Sequence, residues 1–293
     1  MEVLLFQMGK VASTAIADAL RREGQAVVQA HIAAPSRLQQ KFEFLTGHVV
    51  DDVVAERMYQ DYLQELRATF LLARGRNVAA ADRPPLLVIA PMRDPLSWYW
   101  SNFAQDYDHN SGLLRRYHEQ HQPASTEFSA QRSFWAVMSQ GFDVLEHTGC
   151  ALDSAEALPQ LMEEMDARDP SNVVFSQMNR FLMPLRWFDE DFLPATGVDV
   201  FSHAFDRELG VGTIDAPGLK ILLVRYENLA DHTGQIAEFA GVPTIELCAA
   251  NVSEDKDLPF DLAQIRERAQ RAIPAPLVER IYATRYARHF GYQ

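Results

Sequence analysis

Leu86 to Met92 reads LLVIAPM, an apolar run without a charge, too short to cross a membrane and too continuous for a sheet with one wet face. Similar runs stand at Glu2 to Phe6 (EVLLF) and Lys220 to Tyr226 (KILLVRY), and AVVQAHI at Ala26 to Ile32 is a fourth strand candidate. Helical spacing fills the intervals. It covers AIADALRRE after Ser13 and Thr14, and Asp51 to Leu72 (Val53, Val54, Met58, Tyr62, Leu66, Phe70), which ends near Gly75. It continues at Trp98 to Ala104, Glu127 to Glu146, Ser154 to Ala167 and Asp231 to Ala240. Such alternation predicts an α/β fold: a mostly parallel central sheet flanked by helices. Phe181 to Gly212 has mixed periodicity and takes no assignment, and the last 30 residues read as one or two helices broken by Pro274 and Pro276. No linker separates two halves, so one domain over residues 1–293 is expected, a length whose core needs no disulfide or metal staple.

Charge excludes one large class of function. Lysine and arginine number 27 against 40 acidic residues, a formal charge of −13, and no basic stripe offsets it as a nucleic-acid binder would require. Cys150 and Cys248 form no CxxC pair, which points to a reducing compartment. The N-terminus, MEVLLFQMGKVAS, has neither a basic leader nor a signal-length apolar stretch, and no run approaches ~18 apolar residues. A cytoplasmic protein with no transmembrane segment is therefore expected. No HExxH motif or carboxylate cluster calls for a metal.

Two segments carry chemistry. The first is Gln7-Met8-Gly9-Lys10-Val11-Ala12-Ser13-Thr14, which leaves one strand and enters a helix. Unsatisfied N–H groups and the helix dipole favour an anion there, Lys10 adds a full charge, and the Ser13 and Thr14 hydroxyls add donors. It is not a Walker A loop, since GxxxxGK[ST] is absent. A Ser/Thr cap beside a surface lysine is the plainer use of the same residues. The second segment, Arg93-Asp94-Pro95, ends the strongest strand, with Ser101 eight positions on. An arginine at the carboxyl end of a parallel strand can fork onto a phosphate, and a serine two helical turns later can reach the same group. An Arg-Asp pair capping a helix is the alternative.

Taken together, the two segments resemble the signatures of the sulfotransferases that use 3′-phosphoadenosine 5′-phosphosulfate (PAPS). That family has an N-terminal K-x-[GA]-[ST]-T loop, here Lys10-Val11-Ala12-Ser13-Thr14, and an R-D-P-x-x-x-x-x-S run, here Arg93 to Ser101. Trp187-Phe188-Asp189 through Thr196-Gly197-Val198-Asp199-Val200 to Phe205-Asp206 looks like a bacterial branch described as putative capsular polysaccharide synthesis proteins. Arg225-Tyr226-Glu227-Asn228-Leu229 is similar to the family's R-x-E-[DN]-L-type segment. The likeness runs by scattered motifs from the first residues to about Ala240.

The resemblance implies a P-loop-like sulfotransferase fold and transfer of a sulfuryl group from PAPS to an acceptor hydroxyl, with adenosine 3′,5′-bisphosphate as product and no metal. By analogy alone the acceptor would be a carbohydrate or glycolipid. Lys10 would meet the sulfate and bridging oxygen. Gly9, Lys10, Val11, Ala12, Ser13 and Thr14 would cradle the 5′-phosphate, while Arg93 and Ser101 would hold the 3′-phosphate. His31, at the end of the second strand candidate, is the expected base, with His48 the runner-up. His109 and His118 are expected to face solvent. Lys256 is a candidate contact from a C-terminal loop, and residues 105–126 a polar lid or acceptor-binding insertion. Trp98, Tyr99, Trp100, Phe103, Tyr107, Trp187 and Phe188 could floor an acceptor site, although their spacing reads first as core. A nucleotide-dependent phosphotransferase and a non-catalytic component of polysaccharide synthesis are the competing readings.

Overall fold

The computed structural model describes residues 2–47, 52–77, 84–122, 126–248, 267–268 and 271–293. His48 and Lys256 lie outside them. Contacts divide the chain into two compact units interleaved along the sequence. The first comprises Met1–Arg93, Trp187–Asn251 and His289–Gly291; the second comprises Asp94–Arg186, Val252–Arg288 and Tyr292–Gln293.

The first unit holds a five-stranded sheet of β1 (Glu2–Phe6), β2 (Ala26–Ala30), β3 (Leu86–Met92), β4 (Val211–Ala216) and β5 (Leu219–Arg225), in the order β2-β1-β3-β5-β4. The strands β2, β1, β3 and β5 run parallel, with Leu4 opposite Val28 and Val88, and Val88 opposite Ile221. Only β4 is antiparallel, pairing Ile214 with Ile221 along β5. Every residue of β3 is buried. The sheet is thus α/β and mostly parallel, as the apolar runs require.

Helices α1 (Ser13–Arg22), α2 (Pro35–Gly47) and α3 (Asp52–Asn77) belong to this unit, as does α10 (Thr233–Ala240). On α1 the side chains of Ile16, Ala19 and Leu20 are buried and share a core with Val3, Leu5, Leu87, Ile89, Val224 and Ile236. Burying such side chains contributes ~1.5–3 kcal/mol each, so this single cluster accounts for the placement of α1 and α10. The segment from Phe181 to Gly212 that the periodicity left unassigned resolves into several short pieces. Helix α8 (Val173–Trp187) runs into a π-helical turn, Phe188–Phe192, then α9 (Leu193–Thr196). Phe188 stacks obliquely on Phe192, Phe201 and Phe290 at 5.3, 5.8 and 5.2 Å between centroids. These aromatics pack as core.

The described residues of the second unit are mostly helical, with α4 (Pro95–Gln105), α5 (Tyr107–His121), α6 (Ala130–Thr148) and α7 (Leu158–Arg168) followed by most of α8. Chain-terminal helices are α11 (Ala275–Tyr282) and α12 (Arg285–Phe290). Asp94 caps α4 by accepting from the Ser97 N–H at 2.8 Å, with Pro95 at the first helical position. Trp98, Tyr99, Trp100 and Phe103 are buried around Phe134, Phe142 and Phe181. The polar insertion over 105–126 is a formed helix for most of its length. His118, expected in solvent, is buried there with Nε2 at 3.0 Å from the Thr126 carbonyl, whereas His109 is exposed. Among the described residues no helix is long and apolar enough to cross a membrane.

Candidate functional site

All four parallel strands end on one edge of the sheet. That edge carries the loop from Gln7 to Ala12, His31, Arg93 and Tyr226, each immediately beyond its strand. Strand order reverses between β1 and β3: α1 leads from β1 to β2 on one side, and the chain then crosses back to β3 on the other. Ligands of open parallel sheets bind outside the carboxyl ends at such a reversal.

The loop after β1 adopts an unusual backbone. Gly9, Lys10 and Ala12 have φ of +86°, +56° and +58°, so two residues with Cβ atoms are held in the left-handed region. Successive turns of this kind gather backbone N–H groups into a concavity suited to an anion. Ala12 is the N-cap of α1 and supplies no side-chain cap, so the N–H groups of the first turn begin without that partner. Ser13 is buried in that turn, Thr14 half-buried, and Val11 buried behind the loop.

Arg93 is fastened to this loop. Its Nη1 donates to the Lys10 carbonyl at 3.0 Å, and its guanidinium lies 4.1 Å over the ring of Tyr226. The bond spans β1 and β3, which brings the two sequence motifs together at Lys10 and Arg93. Ser101 sits on α4, buried, in the second unit.

His31 follows β2 by one residue; the strand stops at Ala30, short of the Ile32 limit expected from the apolar run. Gln7, completely buried, joins this histidine to the loop. Its Oε1 accepts from the Gly9 N–H, which turns Nε2 toward His31 Nδ1 at 2.8 Å. The Gln7 backbone carbonyl lies 3.2 Å from the same Nδ1. Nδ1 thus has a donor and an acceptor beside it: accepting from Gln7 Nε2 puts the ring proton on Nε2, whereas donating to the Gln7 carbonyl leaves Nε2 able to take one. His31 reaches the surface, but the atoms packed around its ring desolvate it and lower its pKa. The Gln7 hydrogen bond opposes that shift, while the charges of Lys10 and Lys41 add to it. The lowered value favours the neutral imidazole.

The His31 loop is anchored from behind. Trp187 Nε1 donates to the His31 carbonyl at 3.0 Å, and the Asp191 carboxylate accepts from the Ala34 N–H. Asp191 is 3.9 Å from Arg37 Nη2, whose Nη1 bonds Glu190 at 3.1 Å; nearby, Lys41 donates to the buried Glu65 at 2.5 Å. Burial pushes the Asp191 carboxyl up to about 7, against the pull of Arg37 and with a further push from Glu190 and Glu65. Burial likewise raises Glu65, with Lys41 opposing.

Sequence reasoning placed Gln7 and Tyr226 in motif segments without giving either a role, and weighed Trp187 as acceptor-site floor or core, not as a donor to the His31 carbonyl. A buried amide at the strand exit was the one available signal for Gln7. Arg225, in the R-x-E-[DN]-L-type segment, serves the fold: its Nε donates to Asn228 Oδ1 at 2.9 Å and its Nη1 to the Phe290 carbonyl at 3.3 Å. Among the described residues no group of three His, Cys, Asp or Glu side chains is placed to hold a metal ion. No protein-family model, characterised protein or solved structure matches the chain significantly.

Proposed function

We propose that the protein is a PAPS-dependent sulfotransferase of the P-loop-like type, acting on an acceptor hydroxyl of carbohydrate or glycolipid character. The observation that carries the reading is the 3.0 Å bond from Arg93 to the carbonyl of Lys10, which couples the K-x-[GA]-[ST]-T loop to the R-D-P segment at the strand reversal. PAPS supplies an activated sulfuryl group whose transfer, like phosphoryl transfer, asks the protein chiefly to position groups and stabilise charge. A left-handed loop at a helix mouth, flanked by Lys10 and Arg93, fits a donor with anionic groups at both ends.

Lys10 stabilises the charge that grows on the bridging oxygen as its bond to sulfur breaks. The N–H groups of Val11 to Thr14, with the Ser13 and Thr14 hydroxyls, hold the 5′-phosphate, and Arg93 forks onto the 3′-phosphate. Ser101 enters this reading through sequence spacing alone. His31 takes the acceptor proton as the new oxygen–sulfur bond forms, and adenosine 3′,5′-bisphosphate leaves. A local cationic cradle of this kind is compatible with a net charge of −13.

Titration calorimetry with adenosine 3′,5′-bisphosphate and with ADP tests the donor. The bisphosphate should bind more tightly, and Arg93→Ala should weaken it by ~1.5–3 kcal/mol, part of which comes from loosening the loop it holds. Lys10→Ala should lower turnover of radiolabelled PAPS ~100- to 1,000-fold while leaving the fold intact. Equal affinity for ADP would favour a phosphotransferase instead. Bisphosphate binding without turnover on any sugar, lipid or phenol acceptor would favour a non-catalytic component.

A further inference from the structure

The large apolar side chains left exposed are concentrated. Among the described residues, Phe42 and Phe44 on α2 and Tyr59, Leu63, Leu66 and Phe70 on α3 are exposed, with Phe70 at 64%; Met162 and Leu209 are the others. The four on α3 recur at intervals of four, three and four residues, so they form one stripe about 16 Å long. Phe42 meets Tyr62 beside it, at 6.0 Å between ring centroids, which widens the patch. The opposite side of α3 is the inner one, with Glu65, Ala68, Leu71 and Leu72 buried. Burial among the described residues therefore does not explain the stripe, and a contiguous exposed patch of this kind marks an interaction surface.

We infer that α3 pairs antiparallel with α3 of a second copy of this chain, as the core of a two-fold homodimer. The stripe is self-complementary. An axis midway between Leu63 and Leu66 sets Leu63 against the second copy's Leu66, and Tyr59 against its Phe70, twice over. Charge selects the direction. Glu56 precedes the stripe and Arg74 follows it, both exposed, with Arg74 also 3.8 Å from Glu2. Antiparallel packing brings Glu56 of each copy beside Arg74 of the other, whereas parallel packing would oppose like charges at both ends. The exposed charges of α3 are of both signs, Glu56 and Asp61 against Arg67, Arg74 and Arg76, and the chain carries a net charge of −13, so no basic face is present to draw the stripe onto an anionic bilayer.

Sedimentation equilibrium and light scattering on the full chain provide the test, with circular dichroism to verify that each variant is folded. The wild-type chain should be dimeric at tens of micromolar, and Leu66→Glu and Phe70→Glu should each raise the dimer Kd at least ~10-fold. Glu56→Arg and Arg74→Glu should each raise it about 2- to 5-fold, and the two together should restore it. A wild-type chain that stays monomeric up to ~100 µM overturns the proposal. So does a dimer that neither stripe variant weakens, or a monomer that instead co-sediments with phosphatidylcholine vesicles. Failure of the paired charge reversal to restore association refutes the antiparallel arrangement.

Discussion

Replacing Asp191 with asparagine should stabilise the protein, and only above acidic pH. The carboxylate sits on the π-helical turn with its side chain 3% exposed, and its pKa is raised from the usual 3.8 to about 7. A group whose folded pKa exceeds its unfolded value holds its proton more tightly in the native state. Its contribution is therefore fully present below about pH 4, and is lost as pH rises toward 7. The span is about three pKa units at ~1.4 kcal/mol each, so the charged form costs the native state about 4 kcal/mol at pH 8 relative to the neutral form. Asparagine keeps the shape and an acceptor for the Ala34 N–H while removing the charge. It forgoes the attraction of Arg37 at 3.9 Å, but that attraction is already contained in the raised value.

Urea denaturation of the wild-type and Asp191→Asn proteins across about pH 4 to 8 measures the effect as a difference, in which all other titrations cancel. The two should be nearly equal at pH 4. The variant should then gain with pH and level off near pH 7, ahead by up to about 4 kcal/mol. A flat difference would show that Asp191 titrates at the same pH folded and unfolded. A variant that loses stability as pH rises would mean that the Arg37 pairing outweighs desolvation, and the reasoning would be wrong.

Two further outcomes follow from individual positions. In a PAPS turnover assay the acid limb of kcat/KM should lie below pH 6.5, because desolvation lowers His31, and His31→Gln should abolish that limb along with most of the rate; a limb above pH 6.5 would exclude His31 as the base. Gly218→Ala should cost about 3 kcal/mol or more by thermal or urea unfolding. Its φ is +71°, and a Cβ there would stand 1.9 Å from the Gly75 carbonyl oxygen, a backbone atom at the end of α3. Gly234→Ala on α10, where nothing lies within 4 Å, should be neutral or stabilising by up to ~1 kcal/mol, and equal losses at both sites would refute the steric argument.

How far the fold can be read from the chain depends on what each element buries. The strands β1, β3 and β5 are covered on both faces, so their residues are apolar almost without interruption and their limits match the runs closely. The edge strand β4 buries only Val211 and Ile214 of VGTIDA, a pattern too short and too interrupted by Gly212 and Asp215 to stand out. Helix α2 buries Leu38 alone, and its exposed phenylalanines contradict the period that would have revealed it. In α5 the polar composition hid Asn110, Leu114, Tyr117 and His118, whose buried spacing is helical.

The candidate site shows the same division between what composition records and what only backbone geometry records. Lys10, His31 and Arg93 were legible because they follow strands, and parallel strands deliver their ends to one edge. Nothing in the residue types announced that Lys10 and Ala12 would be left-handed, or that Gln7 would carry the Gly9 N–H on one amide atom and face His31 with the other. Yet those features bear most directly on the proposed function. A loop needing only to turn could place glycine at all three positive-φ positions, avoiding the ~1–2 kcal/mol that each left-handed residue with a Cβ costs. This loop keeps a lysine and an alanine there instead, with its strain held by Arg93 on one side and Gln7 on the other. Strain retained at a helix mouth, between a cation and a neutral imidazole, is what a preorganised anion cradle requires, because donors already fixed in place need not be reorganised when charge develops.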